Sequence, residues 1–481
     1  MTKPLIAACV VTLFAVLGWL MWRRFTRRAA INAVRRFRAR IDRFKLTGKP
    51  YIRQSLLGDE VIAAAVREHA AAHAIPSAVA WRRVGQYVDE IVPVFNLLAY
   101  YQFGIAASRA LLGLFYRVEV LHVRAAALGE LPRESIVIYL MNHRSNADYL
   151  LASYALAGQV AISYAVGEWA RVFPLEYIFK TFGAYFIRRR FREPLYHTVL
   201  ERYVQLITKN GVTQGIFPEG GLSRDGKLRA AKIGLLDYAI GVAREPGFID
   251  RMYLVPVAIN YDRVLEDRSL LRELRASEGH RPPGRLIQLK EVVAYTMWNV
   301  TRLVARRWKR YGQAAVVIGE PLPLAPWFRG LDREGRGLFT LDRAARLSEV
   351  QGLTDQAMRR IGEIIPVTPV PLVCAAIQTM DADFISRERL VDRLHEVRES
   401  LLHNGYVVLH AGEDVHDTLD RAYALLRMRH VLAREGSSYV VLPRGRELIS
   451  YYANSIAHLL GEFQDAVRAR DALPVYAVVD V

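Results

Sequence analysis

Cysteine is nearly absent from this sequence: only Cys9 and Cys374 occur among 481 residues. Cys9 lies in an apolar N-terminal run, and Cys374 lies in the apolar run Pro371–Ala376. Two cysteines in such places provide neither a disulfide framework nor a cysteine-based zinc site. This scarcity is typical of a protein in a reducing compartment.

Histidines in metal-binding patterns are lacking as well. His69 and His73 lie on an alanine-rich segment without the glutamate of a zinc-protease motif. His410 and His416 have no obvious carboxylate or cysteine partners at metal-ligand spacing. The sequence therefore predicts no metal ion, and nothing in it indicates a cofactor.

Long apolar runs are scarce, and a mean hydropathy of +0.09 is low for a polytopic membrane protein. The exception is the uncharged stretch Pro4–Trp22, since a bilayer span needs ~17–25 residues. Four arginines follow it between positions 23 and 28, whereas only Lys3 precedes it. Basic flanks stay cytoplasmic, and this charge lies on the wrong side for a cleaved signal peptide. We therefore predict a transmembrane anchor at residues 1–22, with the body of the protein in the cytoplasm.

Acidic residues are outnumbered, with 48 Asp and Glu against 66 Lys and Arg, which gives a net charge of +18. Such an excess favours polyanions, namely nucleic acid, anionic lipid or a phosphorylated substrate. Ten basic residues and one acid lie between Arg23 and Lys45, with apolar residues at three- and four-residue spacing. This pattern predicts a basic amphipathic helix on an anionic membrane surface. Nucleic acid is not the expected partner, because the helix begins where the predicted span ends.

The chain is longer than the ~250–300 residues at which single cores stop growing, so we expect more than one domain. Residues 23–115 are predicted to form a membrane-associated helical region. Within it, Gln54–Glu90 is helical, and Ile91–Phe115 is either a buried hairpin or a hairpin that dips into the bilayer. Residues 116–330 are predicted to form an α/β domain, and residues 331–481 a mostly helical C-terminal region.

Short β-rich runs alternate with helical stretches from Glu134 onward. This alternation predicts βαβ units and a mainly parallel sheet that is flanked by helices. The predicted strands are Ser135–Met141, Val160–Val166, Gly183–Ile187, Gln214–Phe217, Met252–Ile259 and Ala314–Ile318. The predicted helices are Ala147–Leu156, Glu168–Phe182, Pro194–Asn210, Leu228–Arg244, Leu341–Ile365 and Ser386–Leu402.

His143 and Asp148 follow the first of these strands, at the carboxyl end where open α/β sheets bind ligands. Five residues apart on a continuous helix, the two side chains would point ~140° away from each other. They can meet only if His143 lies in the turn and Asp148 in the first helical turn. Two roles for Asp148 remain open: it caps the helix with Ser145 in an S-x-x-D box, or it orients the imidazole as a general base.

Three later segments also end in polar residues. The run Gly183–Arg190 is a strand that ends in three arginines, a residue type that suits phosphate. The run Phe217–Lys227 has glycines for a tight turn, followed by serine, arginine and lysine. It is not a Walker loop. The run Leu254–Arg263 is an apolar strand with a proline. None of the three is decisive alone.

Together, these four segments resemble in order the sequence blocks of the glycerophospholipid acyltransferase superfamily, and in particular its glycerol-3-phosphate acyltransferase (PlsB-type) branch. His143–Leu150 is similar to the HRSxxDYL block, Gly183–Arg189 to GAFFIRR, Phe217–Arg224 to FxEGGRSR and Val255–Arg263 to VPxxIxY. The likeness spans roughly Leu114 to Leu460, because three more family motifs recur: Gly319–Pro321, Val367–Val370 and Tyr451–Ile456.

The resemblance implies a membrane-bound enzyme that moves a fatty acyl group from acyl-CoA or acyl-carrier protein to the sn-1 hydroxyl of glycerol-3-phosphate. The expected location is the inner membrane of a bacterium. His143 would be the base and Asp148 would orient it, without an acyl-enzyme. The residues expected to bind substrate are Arg144, Arg188, Arg189, Glu219, Gly220, Ser223, Arg224 and Lys227.

One departure from the family pattern concerns the acceptor. Leu222 stands where the family usually has arginine, so a cation expected near the phosphate is missing. Arg189, Lys227 or Lys232 could supply it. Lysophosphatidate or dihydroxyacetone phosphate therefore remain alternative acceptors, and a non-catalytic lipid-surface protein is the alternative of a different class.

Overall fold

The computed structural model describes residues 49–93, 105–124, 126–156, 162–167, 179–180, 183–188, 191–277, 310–380 and 382–463. The predicted anchor, the basic helix and Arg189 lie outside these residues, as does most of the predicted helix Glu168–Phe182. No helix within the described residues is long and apolar enough to span a bilayer.

An eight-stranded sheet forms the centre of the protein, in the order β1-β7-β6-β2-β5-β3-β4, with β8 paired to β6. Pairing is parallel except where β6 meets β7 and β8, so the prediction of a mainly parallel sheet is confirmed. The strands are β1 (Arg117–His122), β2 (Ile136–Met141), β3 (Ser163–Gly167), β4 (Tyr185–Ile187), β5 (Gln214–Ile216), β6 (Met252–Tyr261), β7 (Gln313–Ile318) and β8 (Leu322–Pro323).

The central strands are apolar because helices cover the sheet. Every residue of β2 and β7 is buried, which is why these strands read as continuous hydrophobic runs. Pro256 lies inside β6 in the gap between its pairings with β7 and β8, where a missing backbone N–H is tolerated. The helices up to the end of this region are α1 (Lys49–Leu57), α2 (Glu60–Ala72), α3 (Ser77–Ile91), α4 (Ile105–Phe115), α5 (Asp148–Leu156), α6 (Pro194–Lys209), α7 (Gly234–Ile240), α8 (Asp267–Ser277) and α9 (Ala325–Arg333).

The N-terminal helices pack on the edge of the sheet near β4. Helices α2 and α3 contact α6, and Asp59, which caps α2, also pairs with Arg202 on α6 at 2.7 Å. Helix α4 packs against α5 and β1, and its Leu112 is buried. The C-terminal part of the predicted hairpin Ile91–Phe115 thus packs on the folded domain through one face, while residues 94–104 lie outside the described part.

The C-terminal region is mostly helical, as predicted, and also contains a small sheet that was not predicted. Its antiparallel strands are ordered β10-β11-β9. Helix α11 is buried throughout and packs against α12, α13 and α14. The elements are α10 (Arg343–Glu363), α11 (Pro369–Gln378), α12 (Arg387–His403), α13 (Val415–Met428), α14 (Arg446–Ala453), β9 (Phe384–Ser386), β10 (Leu432–Glu435) and β11 (Ser438–Val441), and short 3₁₀ turns occur at Gly241–Arg244, Ile249–Arg251, Pro443–Gly445, Ala457–Leu459 and Gly461–Phe463.

Candidate active site

His143 and Asp148 meet at the carboxyl end of β2. The strand ends at Met141, a short loop carries His143, and α5 begins at Asp148. His143 Nδ1 lies 2.9 Å from Asp148 Oδ2, and both side chains are buried. A proton on Nδ1 donated to the carboxylate leaves Nε2 as the ring nitrogen that can accept a proton.

The Asp148 carboxylate also organises the loop before it. Its Oδ2 accepts hydrogen bonds from the backbone N–H groups of Arg144, at 2.7 Å, and Ser145, at 3.0 Å. The N–H of Ser145 is the one that a capping box satisfies, so the structure contains both contacts that the sequence left open. One carboxylate holds the loop and the imidazole together.

Tyr261 is a site residue that the sequence analysis did not assign. It ends β6, beside β2, and its hydroxyl donates to Asp148 Oδ1 at 2.5 Å. Burial first, and then the charge of Asp148, raise the pKa of Tyr261 well above its ordinary value, so the phenol stays protonated as a donor. The only signal in the sequence was its place at the end of the VPxxIxY-like block.

The turn after β5 supports His143 from the other side. Glu219 accepts hydrogen bonds from the backbone N–H groups of His143, at 2.8 Å, and Arg229, at 3.1 Å. Burial raises the pKa of Glu219 to about 7, although the two hydrogen bonds act to lower it. The ring of Phe217 stacks on His143 at 4.2 Å, and the N–H of Ser223 donates to the His143 carbonyl at 3.1 Å.

A third carboxylate, that of the partly buried Glu266, fixes the loop between His143 and Asp148. It accepts the hydroxyl proton of Ser145 at 2.7 Å and the backbone N–H of Asn146 at 3.2 Å. Burial raises the pKa of Glu266 above its ordinary value. The loop that carries the histidine is therefore tied by side chains from three different elements.

The predicted cations of the site do not share one environment. Arg188 is bound to Glu90 of α3 through Nε at 2.9 Å and Nη2 at 2.7 Å, and its guanidinium lies over the Phe191 ring. Arg224 is half-exposed and pairs with Glu273 at 3.1 Å. Lys227 is exposed on the same loop.

Arg229 and Lys232 add positive charge at this turn. Arg229 Nη1 donates to the carbonyl of Leu222 at 3.3 Å, so a guanidinium lies next to the position where the family pattern expects one. The Lys232 side chain crosses Gly220, where an added Cβ would lie 2.9 Å from Lys232 Cδ, and Gly220 has a φ of +66°. Arg229 was not singled out in the sequence, because nothing local connects it to Leu222.

Arg144 is buried between the sheet and the C-terminal region, in a narrow crevice that leaves no room for a water molecule. Its Nη1 donates to the carbonyl of Gly226, and its guanidinium lies over the Tyr451 ring, 5.1 Å from the centroid. Its Nε and Nη2 have no hydrogen-bond partner among the described residues.

No group of three or more histidine, cysteine, aspartate or glutamate side chains in the described residues is placed to hold a metal ion. His410 Nδ1 lies 2.8 Å from Glu413, but this single pair does not form a set of metal ligands. The two residues are only three apart on one turn. The absence of a metal or cofactor from the reaction stays a prediction.

Comparison with known families identifies both halves of the chain. The acyltransferase family model matches residues 122–260, which contain β2 to β5, all of β6 except its last residue, and the loop of His143. The model of the glycerol-3-phosphate acyltransferase C-terminal region matches residues 296–462. The chain belongs to the glycerol-3-phosphate acyltransferase branch of the glycerophospholipid acyltransferases.

Curated members of this branch are similar over most of the chain. A glycerol-3-phosphate acyltransferase of Aeromonas hydrophila is 29% identical over 86% of this chain and 50% of its own length. Glycerol-3-phosphate acyltransferases of Actinobacillus succinogenes and Glaesserella parasuis are each 28% identical over 67% of this chain and 39% of their own length. The chain thus spans half or less of the length of these relatives.

Proposed function

We propose that this protein transfers a fatty acyl group from acyl-CoA or acyl-carrier protein to the sn-1 hydroxyl of glycerol-3-phosphate, giving lysophosphatidate. The observation that carries the proposal is the buried pair of His143 and Asp148 at the end of β2, with Tyr261 on the second carboxylate oxygen. The family to which the chain belongs, and the relatives named as glycerol-3-phosphate acyltransferases, support this acceptor.

In the proposed reaction, Nε2 of His143 takes the proton of the acceptor hydroxyl as its oxygen attacks the thioester carbonyl. The tetrahedral intermediate collapses, the carbon–sulfur bond breaks, and the imidazolium returns its proton to the leaving thiolate. Asp148 keeps the proton on Nδ1 and stabilises the imidazolium charge. No acyl-enzyme is needed, because the hydroxyl attacks the donor directly.

The acceptor phosphate would bind at the turn after β5. Arg224, Lys227, Arg229 and Lys232 all lie on this turn, and Ser223 connects it to the His143 carbonyl. Arg188 also belongs to the predicted phosphate set, but Glu90 already binds it through two nitrogens, so a phosphate would have to compete with that carboxylate.

The proposal includes membrane attachment in the inner membrane of a bacterium, with the catalytic body in the cytoplasm. It is supported by the uncharged run Pro4–Trp22 and by the basic residues that follow it.

A second acceptor is favoured by one observation. Leu222 is partly buried against the apolar core at the turn where the phosphate cations lie, so it can contact an apolar part of the acceptor. Lysophosphatidate carries such a part, and glycerol-3-phosphate does not. If lysophosphatidate is the acceptor, Leu222→Arg should lower activity, whereas with glycerol-3-phosphate it should leave acceptor affinity unchanged or improve it.

The test is an acyl-transfer assay on the purified full chain, with acyl-CoA and acyl-carrier protein as donors. The acceptors are glycerol-3-phosphate, dihydroxyacetone phosphate and lysophosphatidate. We expect the highest kcat/KM with glycerol-3-phosphate and no turnover in His143→Ala, while the control His395→Ala, at an exposed histidine, keeps its activity. Faster transfer to another acceptor would reassign the substrate. Absence of transfer to all three would favour the non-catalytic lipid-surface protein.

A further inference from the structure

The 451–455 segment (Tyr451 to Ser455), at the end of α14, packs directly on the turn that follows β5. Asn454 Nδ2 donates to the carbonyl of Asp225 at 3.0 Å. Gly226 has a φ of +87°, and a Cβ added there would lie 1.9 Å from the Tyr451 carbonyl oxygen. The two backbones are therefore in contact at Gly226, and only glycine allows this approach.

The Tyr451 ring also covers the guanidinium of Arg144. That guanidinium is buried, and of its nitrogens only Nη1 makes a hydrogen bond to the described residues, to the carbonyl of Gly226. A buried cation with unpaired N–H groups is costly, and the face of an aromatic ring offsets part of that cost. The Tyr451 hydroxyl is buried without a hydrogen-bond partner among the described residues, so its ring is the functional part.

These contacts lead to the catalytic loop in two steps. Within the turn, Ser223 Oγ donates to the Lys227 carbonyl at 2.7 Å, and the Ser223 N–H donates to the His143 carbonyl at 3.1 Å. Arg144 is the neighbour of His143 in the chain. A displacement of the turn by the 451–455 segment would thus reach both the proposed phosphate cations and the base.

The segment itself is anchored from the sheet side. Asn260 of β6 donates to Ser455 Oγ at 3.3 Å and to the Pro366 carbonyl at 3.0 Å. The Tyr452 hydroxyl donates to Asp267 at 2.7 Å. The segment is therefore held independently of the turn, which is what an element that positions the turn requires.

We infer that Tyr451 and Asn454 are positioning residues for the acceptor site: they hold Arg144 and the Ser223–Lys227 turn in the geometry that binds the acceptor. The inference rests on the proposed function and gives the C-terminal region a direct part in it. Tyr451 and Asn454 hold the turn where the acceptor is proposed to bind, and they do not hold the binding site of the acyl donor. Their loss should therefore lower the affinity for the acceptor.

The experiment compares Tyr451→Leu, Tyr451→Phe and Asn454→Ala with wild type in the full chain. Loss of a buried cation–π contact or of one hydrogen bond should raise the acceptor KM about 3- to 30-fold. The donor KM should stay within about twofold. Tyr451→Phe keeps the aromatic ring, so its acceptor KM should equal that of wild type. The matched control is Tyr439→Leu, because Tyr439 is a buried tyrosine of the same region that packs against Tyr423.

Hydrogen exchange of the backbone amides of residues 223–227 gives a readout that does not depend on turnover. Exchange there should be faster in Tyr451→Leu and Asn454→Ala than in wild type or Tyr439→Leu. The inference would be overturned if Tyr451→Leu and Asn454→Ala left both the exchange rates and the acceptor KM unchanged. It would also be overturned if the acceptor KM and the donor KM rose equally. If Tyr451→Leu does not fold, Asn454→Ala decides. A wild type that acylates no glycerol-3-phosphate would refute the proposed function instead, and the exchange data would still test the packing.

Discussion

At the scale of single residues, the Asp148 carboxylate serves the loop and the imidazole at once, and Asp148→Asn separates these duties. The asparagine oxygen can still accept from the loop N–H groups, while its amide nitrogen can donate to the Tyr261 oxygen. We therefore expect a melting temperature close to that of wild type. The negative charge that stabilises the imidazolium is lost, so kcat should fall by ~10²-fold or more. Full activity combined with reduced stability would leave Asp148 with the capping role alone.

Tyr261→Phe tests the hydrogen bond to the second oxygen of the Asp148 carboxylate, Oδ1. The variant removes one short hydrogen bond and leaves a buried Asp148 Oδ1 without this donor. We expect stability to fall by about 1–3 kcal/mol and kcat to fall by less than in Asp148→Asn, because the imidazole contact remains. Denaturant unfolding and initial-rate kinetics measure the two effects. An unaltered free energy of unfolding would show that Tyr261 does not contribute through this bond.

Glu219 gives the site a dependence on pH. Its pKa is about 7 in the folded protein and near its ordinary value of 4.5 in the unfolded chain, so the folded state holds its proton more tightly. The resulting stability is fully present below about pH 4.5 and is lost as the pH rises through about 7, by at most about 3 kcal/mol. Glu219→Gln should flatten this decline in the free energy of unfolding between pH 5 and 7.5. The exposed control Glu388→Gln should keep the wild-type profile, and identical profiles for all three proteins would refute the assignment.

At the scale of secondary-structure elements, Arg188 joins the end of β4 to helix α3 through Glu90. Removing either partner leaves the other charge poorly compensated, so Arg188→Ala and Glu90→Ala should each lower the free energy of unfolding by about 1–3 kcal/mol. The free energy of unfolding of the double variant should be no lower than that of the less stable single variant. If Arg188 instead contacts the acceptor phosphate, Arg188→Ala will raise the acceptor KM and Glu90→Ala will not. A double-mutant cycle that also measures the acceptor KM distinguishes a structural ion pair from a phosphate contact.

The elements also show where the sequence was informative. The buried strands β2, β6 and β7 were predicted within a few residues, because full burial makes them continuous apolar runs. Strand β1 was missed, because it is a short and partly exposed edge strand without a continuous apolar run, and Leu121 breaks its polar–apolar alternation. The helix predicted over Leu228–Arg244 begins only at Gly234, since the backbone N–H groups of Arg229 and Lys232 donate to the Glu219 carboxylate and the Pro218 carbonyl instead of to a helix.

The site was predicted in the same uneven way. His143 and Asp148 are close in the chain, and the order of strand, turn and helix shows how they meet. Tyr261 and Glu90 lie 113 and 98 residues from the side chains they bind, and no local pattern marks such pairs. The strands β9 to β11 have only three or four residues each, too few for a periodic pattern to be recognised.

At the scale of the whole molecule, the described part begins at Lys49, after both predicted membrane elements. We expect deletion of residues 1–45 to move the protein toward the soluble fraction while the acyl-transfer activity survives. Fractionation after washing with high salt and carbonate measures this. A truncated protein that stays wholly membrane-bound would show that the stretch Ile91–Phe115 inserts through residues outside its packed helix α4.

The position of β7 has a consequence for how the chain is made. This strand lies between β1 and β6 in the sheet, yet it follows β1 by about 190 residues in the chain and lies within the match to the C-terminal family model. At ~5–20 residues per second, the ribosome needs roughly 10–40 s to deliver β7 after β1 has emerged. During that time β1 has no parallel partner, and from the moment β6 has emerged until β7 arrives, about 50 residues later, one edge of β6 is open to pairing with other chains. A nascent chain stalled before residue 313 should therefore depend on chaperones, even though it already contains His143, Asp148 and Tyr261.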